Sequence, residues 1–340
     1  MELAKRVRGI TKQEAVASYQ ALCVVDPEEH MRSRAGLDAL DYFFLGHRLK
    51  AKTKRHLSFY DAMRDPDLIE KLTELVVKYK KKPLSSYDET GLLKAQYQVF
   101  QLYYGTINQF RPVVAKWIYQ RFTPHVGILD ISAGWGGRAL AAMSLGIPYV
   151  GVDANAKLKP AYERLLSLEP GAKVRMIFRP AEEVSFANLS YDLVFTSPPY
   201  FMLEEYEQMP AYGSKQGFID RFLIPVVMKA WTHLLVGGHM ALNMPEEMYE
   251  AVRPHLPKIK ERLALPLSNR HPVNTAKGQT LGEEDKERHE WIYIWRRRAK
   301  QARRDCEPCE RPRTPLHRSR RASAKKTKKT KKTQKAKKTS

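Results

Sequence analysis

Cysteine is scarce in this chain, with three in 340 residues. Three thiols cannot build a disulfide framework, and an odd count in so long a chain fits a reducing compartment. Cys306 and Cys309 form one C-x-x-C with no second pair nearby, so the ligand spacing of a structural zinc site is missing and no metal is expected. No uninterrupted apolar run of about 18 residues occurs, which argues against a helix that crosses a bilayer. The first ten residues are charged and lack the apolar core of a secretion signal. Together these absences predict an intracellular protein, of the nucleus, the cytoplasm or the nucleoid. The loop G-x-x-x-x-G-K-[S/T], which cradles nucleotide phosphates, is also missing.

Acidic residues are outnumbered, 37 against 59 Lys and Arg, for a net charge of +22. The excess is concentrated: from Arg296 to Ser340 there are 20 basic and 3 acidic residues. A block of one sign attracts polyanions, nucleic acid first and acidic membrane second. Residues 322–340 alternate Lys pairs with Thr, Ala and Gln, a composition that builds no core and predicts disorder. Apolar residues make up 43% of the chain, enough for a core elsewhere.

Residues 1–105 carry helical periodicity. In 67–79, Leu68, Leu72, Leu75, Val76 and Tyr79 share one helical face, and Pro66 sits where a missing N–H costs little. From residue 112 the pattern changes. Helical segments over 113–122, 138–145, 157–168 and 218–235 alternate with β-rich runs over 127–131, 149–152, 174–178, 191–196 and 240–243. That alternation predicts βαβ units and a parallel sheet covered on both faces. Two late runs, 262–267 and 291–295, have no helix between them and are expected to pair antiparallel at the sheet edge.

Two turns carry the chemistry. The first run ends in Asp130-Ile-Ser132-Ala133-Gly134-Trp-Gly136-Gly137-Arg138. Glycines between a strand and a helix permit positive φ and remove side chains that would block a ligand. In an open α/β sheet, ligands bind beyond the carboxyl ends of the strands. Asp153 ends the next strand, 19 residues after Gly134, where a carboxylate can accept both hydroxyls of a ribose. The dinucleotide pattern GxGxxG is matched only imperfectly by Gly134-Trp-Gly-Gly-Arg-Ala.

The second turn is Thr196-Ser197-Pro198-Pro199-Tyr200. Prolines cannot donate to a ladder, so the strand stops there. Two rigid rings fix the backbone between a hydroxyl and an aromatic ring. The arrangement suits a planar substrate bearing an NH2 group: Ser197 and a neighbouring carbonyl accept from the amine, and Tyr200 stacks on the ring.

These two turns resemble those of class I S-adenosylmethionine (AdoMet)-dependent methyltransferases that modify exocyclic amines of DNA, including enzymes of phages and large DNA viruses. D-x-x-x-G-x-G-G is similar to their AdoMet turn, and Ser-Pro-Pro-Tyr to their catalytic motif, [Asp/Asn/Ser]-Pro-Pro-[Tyr/Phe/Trp]. The Ser form is more typical of cytosine-N4 enzymes, and the order of the turns of adenine-N6 enzymes, so the base stays open. The resemblance covers about residues 105–297. It implies a Rossmann-like fold with a mixed, mostly parallel seven-stranded sheet, a helical N-terminal region over 1–105, a methyltransferase domain over 106–297, and a disordered basic tail over 298–340.

The resemblance also implies the site. Asp130, Ser132, Ala133, Gly134, Gly136, Gly137 and Asp153 would bind AdoMet, and Ser197, Pro198, Pro199 and Tyr200 would hold a base flipped out of the duplex. Phe110 is open to two readings, cofactor contact or core packing. So is Glu182, placed after the third strand either for the adenine amine or as surface acid. Trp135 belongs to the cofactor or to packing against the N-terminal helices. Two basic segments are candidates for nucleic acid: Arg48, Lys50 and Lys52, and a later segment containing Arg270, His271 and Asn274. DNA is the expected partner and RNA the alternative. A nucleic-acid-compacting protein without catalysis is a third reading, which leaves both turns unexplained.

Overall fold

The computed structural model describes residues 2–53, 55–200, 212–266 and 289–299. The chain opens with helices α1 (Glu2–Val7), α2 (Lys12–Val24), α3 (Leu37–Arg48), α4 (Phe59–Ala62), α5 (Pro66–Lys80) and α6 (Glu89–Tyr103). Local chemistry sets their starts. Thr11 and Glu14 form a capping box on α2, and Asp65 caps α5 ahead of Pro66. Asp88 caps α6.

Helix α7 (Pro112–Phe122) leads into the sheet, whose strands are β1 (Ile128–Asp130), β2 (Tyr149–Asp153), β3 (Val174–Phe178), β4 (Leu193–Thr196), β5 (His239–Asn243), β6 (Glu261–Pro266) and β7 (His289–Arg296). Between them lie α8 (Gly137–Ser144), α9 (Lys159–Leu166), α10 (Lys215–Phe218), α11 (Ile224–His233) and α12 (Glu246–Val252). A π-helical stretch, Ile219–Leu223, joins α10 to α11.

The strand order is β3-β2-β1-β4-β5-β7-β6. Strands β1 to β5 pair in parallel, and β7 runs antiparallel to both β5 and β6. This order and these directions are those that the resemblance to class I methyltransferases implies. The expected antiparallel edge is present. The late runs expected over 262–267 and 291–295 form β6 and β7, and the longer of the two, β7, is inserted between β5 and β6.

Side chains alternate across the sheet, as a period of two requires. Ile128, Leu193, Phe195 and Ala241 face one cluster with α7, α8 and α9, while Leu129, Val194, Met240 and Leu242 face the other with α11 and α12. The first cluster also takes in Tyr19 and Leu22 of α2 and Leu40, Phe43 and Phe44 of α3, so N-terminal helices share a core with the sheet. A third cluster joins α1, α4, α5 and α6 through Val7, Phe59, Leu72, Val76 and Phe100. Among the described residues, no helix is long and apolar enough to cross a membrane.

Candidate active site

Strand order dictates where a cleft opens. The chain moves outward from β1 to β3, then returns to β4 on the other side of β1. Connections therefore leave β1 and β4 in opposite directions, and their carboxyl ends frame a crevice. Both turns singled out in the sequence lie at these two ends.

Buried polar groups tie the two ends together. Asp130, fully buried at the end of β1, accepts from Arg138 Nε at 2.6 Å, from Tyr149 OH at 2.6 Å and from Thr196 Oγ1 at 2.8 Å. Arg138 also donates to the Ser132 carbonyl. The Ser132 hydroxyl lies 2.7 Å from Thr196 Oγ1 and donates to the Ser197 carbonyl at 2.9 Å. Burial works against the Arg138 charge, and Asp130 more than offsets it, holding the guanidinium above its ordinary range. Tyr149 is driven well above its ordinary value by burial and then by the neighbouring carboxylate. Removing one partner of a buried pair like this typically costs about 3–5 kcal/mol. Asp130 is thus corrected from a cofactor ligand to a positioning residue: with no exposed surface, it joins β1, β2, β4 and α8.

The glycine turn divides into two parts. At Gly134 φ is +59°, and an added Cβ would meet only the Ser132 carbonyl oxygen, at 3.9 Å. The Gly134 N–H donates to Asp153 Oδ2 at 2.7 Å, and its carbonyl accepts from Tyr162 OH at 2.9 Å. The other two glycines face protein. A Cβ at Gly136 would lie 2.8 Å from the Phe44 ring, and one at Gly137 would lie 2.1 Å from the Phe110 carbonyl oxygen. Their lack of a side chain admits α3 and the segment before α7, which corrects the expectation that both make room for a ligand. Ala133 is likewise buried, with its N–H donating to the Val152 carbonyl at 2.9 Å. Trp135 is buried in the core shared with the N-terminal helices.

Asp153 is half-buried at the end of β2. Its Oδ1 accepts from the Asn155 N–H at 2.8 Å, in addition to the Gly134 bond at Oδ2. Burial raises its carboxyl to about 6, against the opposing pull of those backbone donors. Phe110 meets Phe195 edge to face at 5.5 Å, with the Arg138 guanidinium 5.2 Å from its ring centroid, and it remains partly exposed. Glu182 accepts from Tyr212 OH, so its carboxylate already has a protein partner.

The Ser-Pro-Pro-Tyr turn brings in two residues that the sequence reading missed. Ser197 Oγ donates to Asn243 Oδ1 at 3.1 Å and lies 3.3 Å from Tyr200 OH. Tyr200 OH lies 2.8 Å from Glu290 Oε1 and 3.4 Å from Asn243 Oδ1. Asn243 Nδ2 donates to the Trp291 carbonyl at 3.1 Å, which turns the amide oxygen toward both hydroxyls. Asn243 ends β5 and Glu290 lies in β7, 43 and 90 residues beyond Tyr200. No local pattern links them; only the position of Asn243 at a strand end could have drawn attention.

The first basic segment also separates. Arg48 is 8% exposed and, with Arg8, is paired to the buried Asp41. It is therefore corrected from a phosphate contact to a core ion pair: seven residues apart on α3, Asp41 and Arg48 lie on one face. Lys50 and Lys52 are exposed, with Lys50 Nζ 5.1 Å and the Arg64 guanidinium 5.3 Å from the centroid of Tyr60. Arg270, His271, Asn274, Cys306, Cys309 and the tail beyond Ala299 lie outside the described residues.

No family model matches the chain, and no curated protein matches it in sequence. Among solved structures it is similar to TrmN from Thermus thermophilus, at 12% identity and a TM-score of 0.39 over 67% of this chain and 78% of that one. It is also similar to TehB from Haemophilus influenzae, at 14% identity and a TM-score of 0.36 over 58% and 66% of the two chains. A SAM-dependent O-methyltransferase from Thermotoga maritima shows 17% identity and a TM-score of 0.36, over 56% and 67%. These are partial overlaps, and the fold assignment rests on the strand order above.

Proposed function

We propose that this chain transfers a methyl group from AdoMet to an exocyclic amine of a nucleic-acid base, with DNA as the substrate. The observation that carries the reading is the turn at the end of β4: a hydroxyl whose hydrogen is held by Asn243, beside an aromatic ring, at the crevice between β1 and β4. Because Ser197 donates to Asn243, both oxygen lone pairs are left to accept from an NH2 group.

The cofactor fits the residues present. Gly134 offers backbone with open space at its Cα, and the bonds to Asp153 come from backbone donors only. Asp153 keeps acceptor capacity for two ribose hydroxyls, and the Gly134 turn would hold the amino-acid end. AdoMet supplies an electrophilic methyl, so the protein need not activate the donor.

The protein's work falls on the acceptor. An aromatic amine is a poor nucleophile because its lone pair is delocalised into the ring. Hydrogen bonds from its N–H groups to Ser197 and to a turn carbonyl localise that pair on nitrogen, and the Tyr200 ring fixes the plane of the base. This is catalysis by orientation and preorganised polarity. Lys50 and Lys52, with Arg64 alongside, supply exposed cations for the phosphate backbone.

The test separates cofactor from substrate. Ser197→Ala is expected to bind AdoMet as the parent does by calorimetry, and to slow single-turnover methylation of an oligonucleotide on the order of 100-fold. Parent-rate methylation by this variant would reduce the turn to a strand stop and remove the amine assignment.

A further inference from the structure

As the methyl arrives, the nitrogen of a neutral amine must shed a proton, and the crevice must receive it. We infer that Glu290 is the final acceptor of that proton, reached through the Ser197 and Tyr200 hydroxyls, and that it positions Tyr200 while it waits. The inference rests on the amine-methylation reading above and adds a residue to it.

Three observations place the path. Ser197 Oγ is 3.3 Å from Tyr200 OH, and Tyr200 OH is 2.8 Å from Glu290 Oε1. Asn243, pinned by the Trp291 carbonyl, presents only its oxygen to the two hydroxyls. It can therefore orient both without contributing a proton. Glu290 is partly buried beside the turn, so its carboxylate serves the crevice and still borders solvent. Among the described residues, Arg111, at the N-terminus of α7, interacts electrostatically with Glu290.

The step balances. The amine proton passes to the Ser197 oxygen as the Ser197 hydrogen turns from Asn243 to the Tyr200 oxygen. The Tyr200 hydrogen passes to Glu290. One N–H bond breaks, one carboxyl O–H bond forms, and both hydroxyls are restored. The positive charge on nitrogen and the negative charge on Glu290 cancel, and Glu290 then releases its proton to solvent. Without this acceptor the proton would have to leave directly to solvent from a stacked, enclosed base.

The experiment uses the full chain, AdoMet and a methylatable oligonucleotide under single-turnover conditions. Glu290→Gln is expected to slow transfer on the order of 100-fold, the usual contribution of a positioned proton acceptor, with AdoMet affinity unchanged. Tyr200→Phe keeps the ring and removes the relay, so it should show a deficit of the same order. The deficit should narrow as pH rises, because hydroxide replaces the carboxylate, and formate should partly restore Glu290→Ala. A parent rate in Glu290→Gln, or a deficit that neither pH nor formate changes, overturns the relay and leaves amine methylation standing. A parent enzyme that binds AdoMet and methylates no nucleic acid overturns both.

Discussion

Asp153 concentrates the residue-scale argument. Its ordinary value of 3.8 is raised to about 6 because burial disfavours the charge more than the Gly134 and Asn155 N–H groups favour it. A carboxyl raised in the fold contributes stability that is fully present below its ordinary value and is lost as pH rises through about 6. Cofactor binding should run the other way. On the proposed function the ionised form accepts the ribose hydroxyls, so AdoMet affinity should fall as pH drops through about 6. Asp153→Asn should flatten that profile and cost roughly 1.5–3 kcal/mol of binding at neutral pH; calorimetric titrations from pH 5 to pH 8 give the answer, and an unchanged profile in the variant would remove Asp153 from the cofactor. Single residues were unevenly legible. Asp153 stood out because a strand-end carboxylate follows a glycine turn at a known distance. Arg48 misled because a basic stretch resembles a solvated face, although Asp41, seven residues earlier on the same helix, was the available clue. Glu290 left no clue, since its contact with Tyr200 spans 90 residues.

At the scale of elements, the glycine turn shows what pattern can and cannot convey. Strand, glycines and helix were all readable, yet Gly136 and Gly137 serve packing against Phe44 and the Phe110 carbonyl. Those partners lie in α3 and the segment before α7, and no spacing rule reaches that far. Consequently Gly137→Ala should be worse than Gly134→Ala. The first drives a Cβ into backbone 2.1 Å away and should cost about 1–3 kcal/mol or more by overpacking. The second meets no atom closer than 3.9 Å and carries mainly the strain of positive φ, roughly 1–2 kcal/mol. Urea denaturation of the two variants orders them, and equal losses would contradict this division of the turn. The strands fared better. Runs expected at 149–152, 174–178 and 240–243 match β2, β3 and β5 to within a residue at each end, because strands of a parallel sheet covered by helices are short, apolar-rich runs closed by turns. The helix expected over 218–235 begins earlier and contains the Ile219–Leu223 π stretch, which hydrophobic spacing alone cannot reveal.

For the molecule as a whole, strand order decides where the crevice falls. The alternation of strands and helices implied a parallel sheet, and the missing helix between the last two runs implied an antiparallel edge; both are present. The joint core of α2, α3 and the sheet was hidden, since its contacts join segments about a hundred residues apart. The same topology brings an open backbone turn at β1 and a hydroxyl-bearing proline turn at β4 to one place, bound together by Asp130, Arg138, Ser132 and Thr196. The central claim is that this crevice methylates a base amine. It is tested most directly by incubating the full chain with methyl-labelled AdoMet and, separately, duplex DNA, single-stranded DNA and RNA, then digesting to nucleosides for mass spectrometry. The account predicts label on the exocyclic nitrogen of adenine or cytosine from DNA, appearing on the order of 100-fold more slowly with Ser197→Ala. Label on a ring carbon, on a ring nitrogen or on a sugar, or none on any nucleic acid, would contradict it.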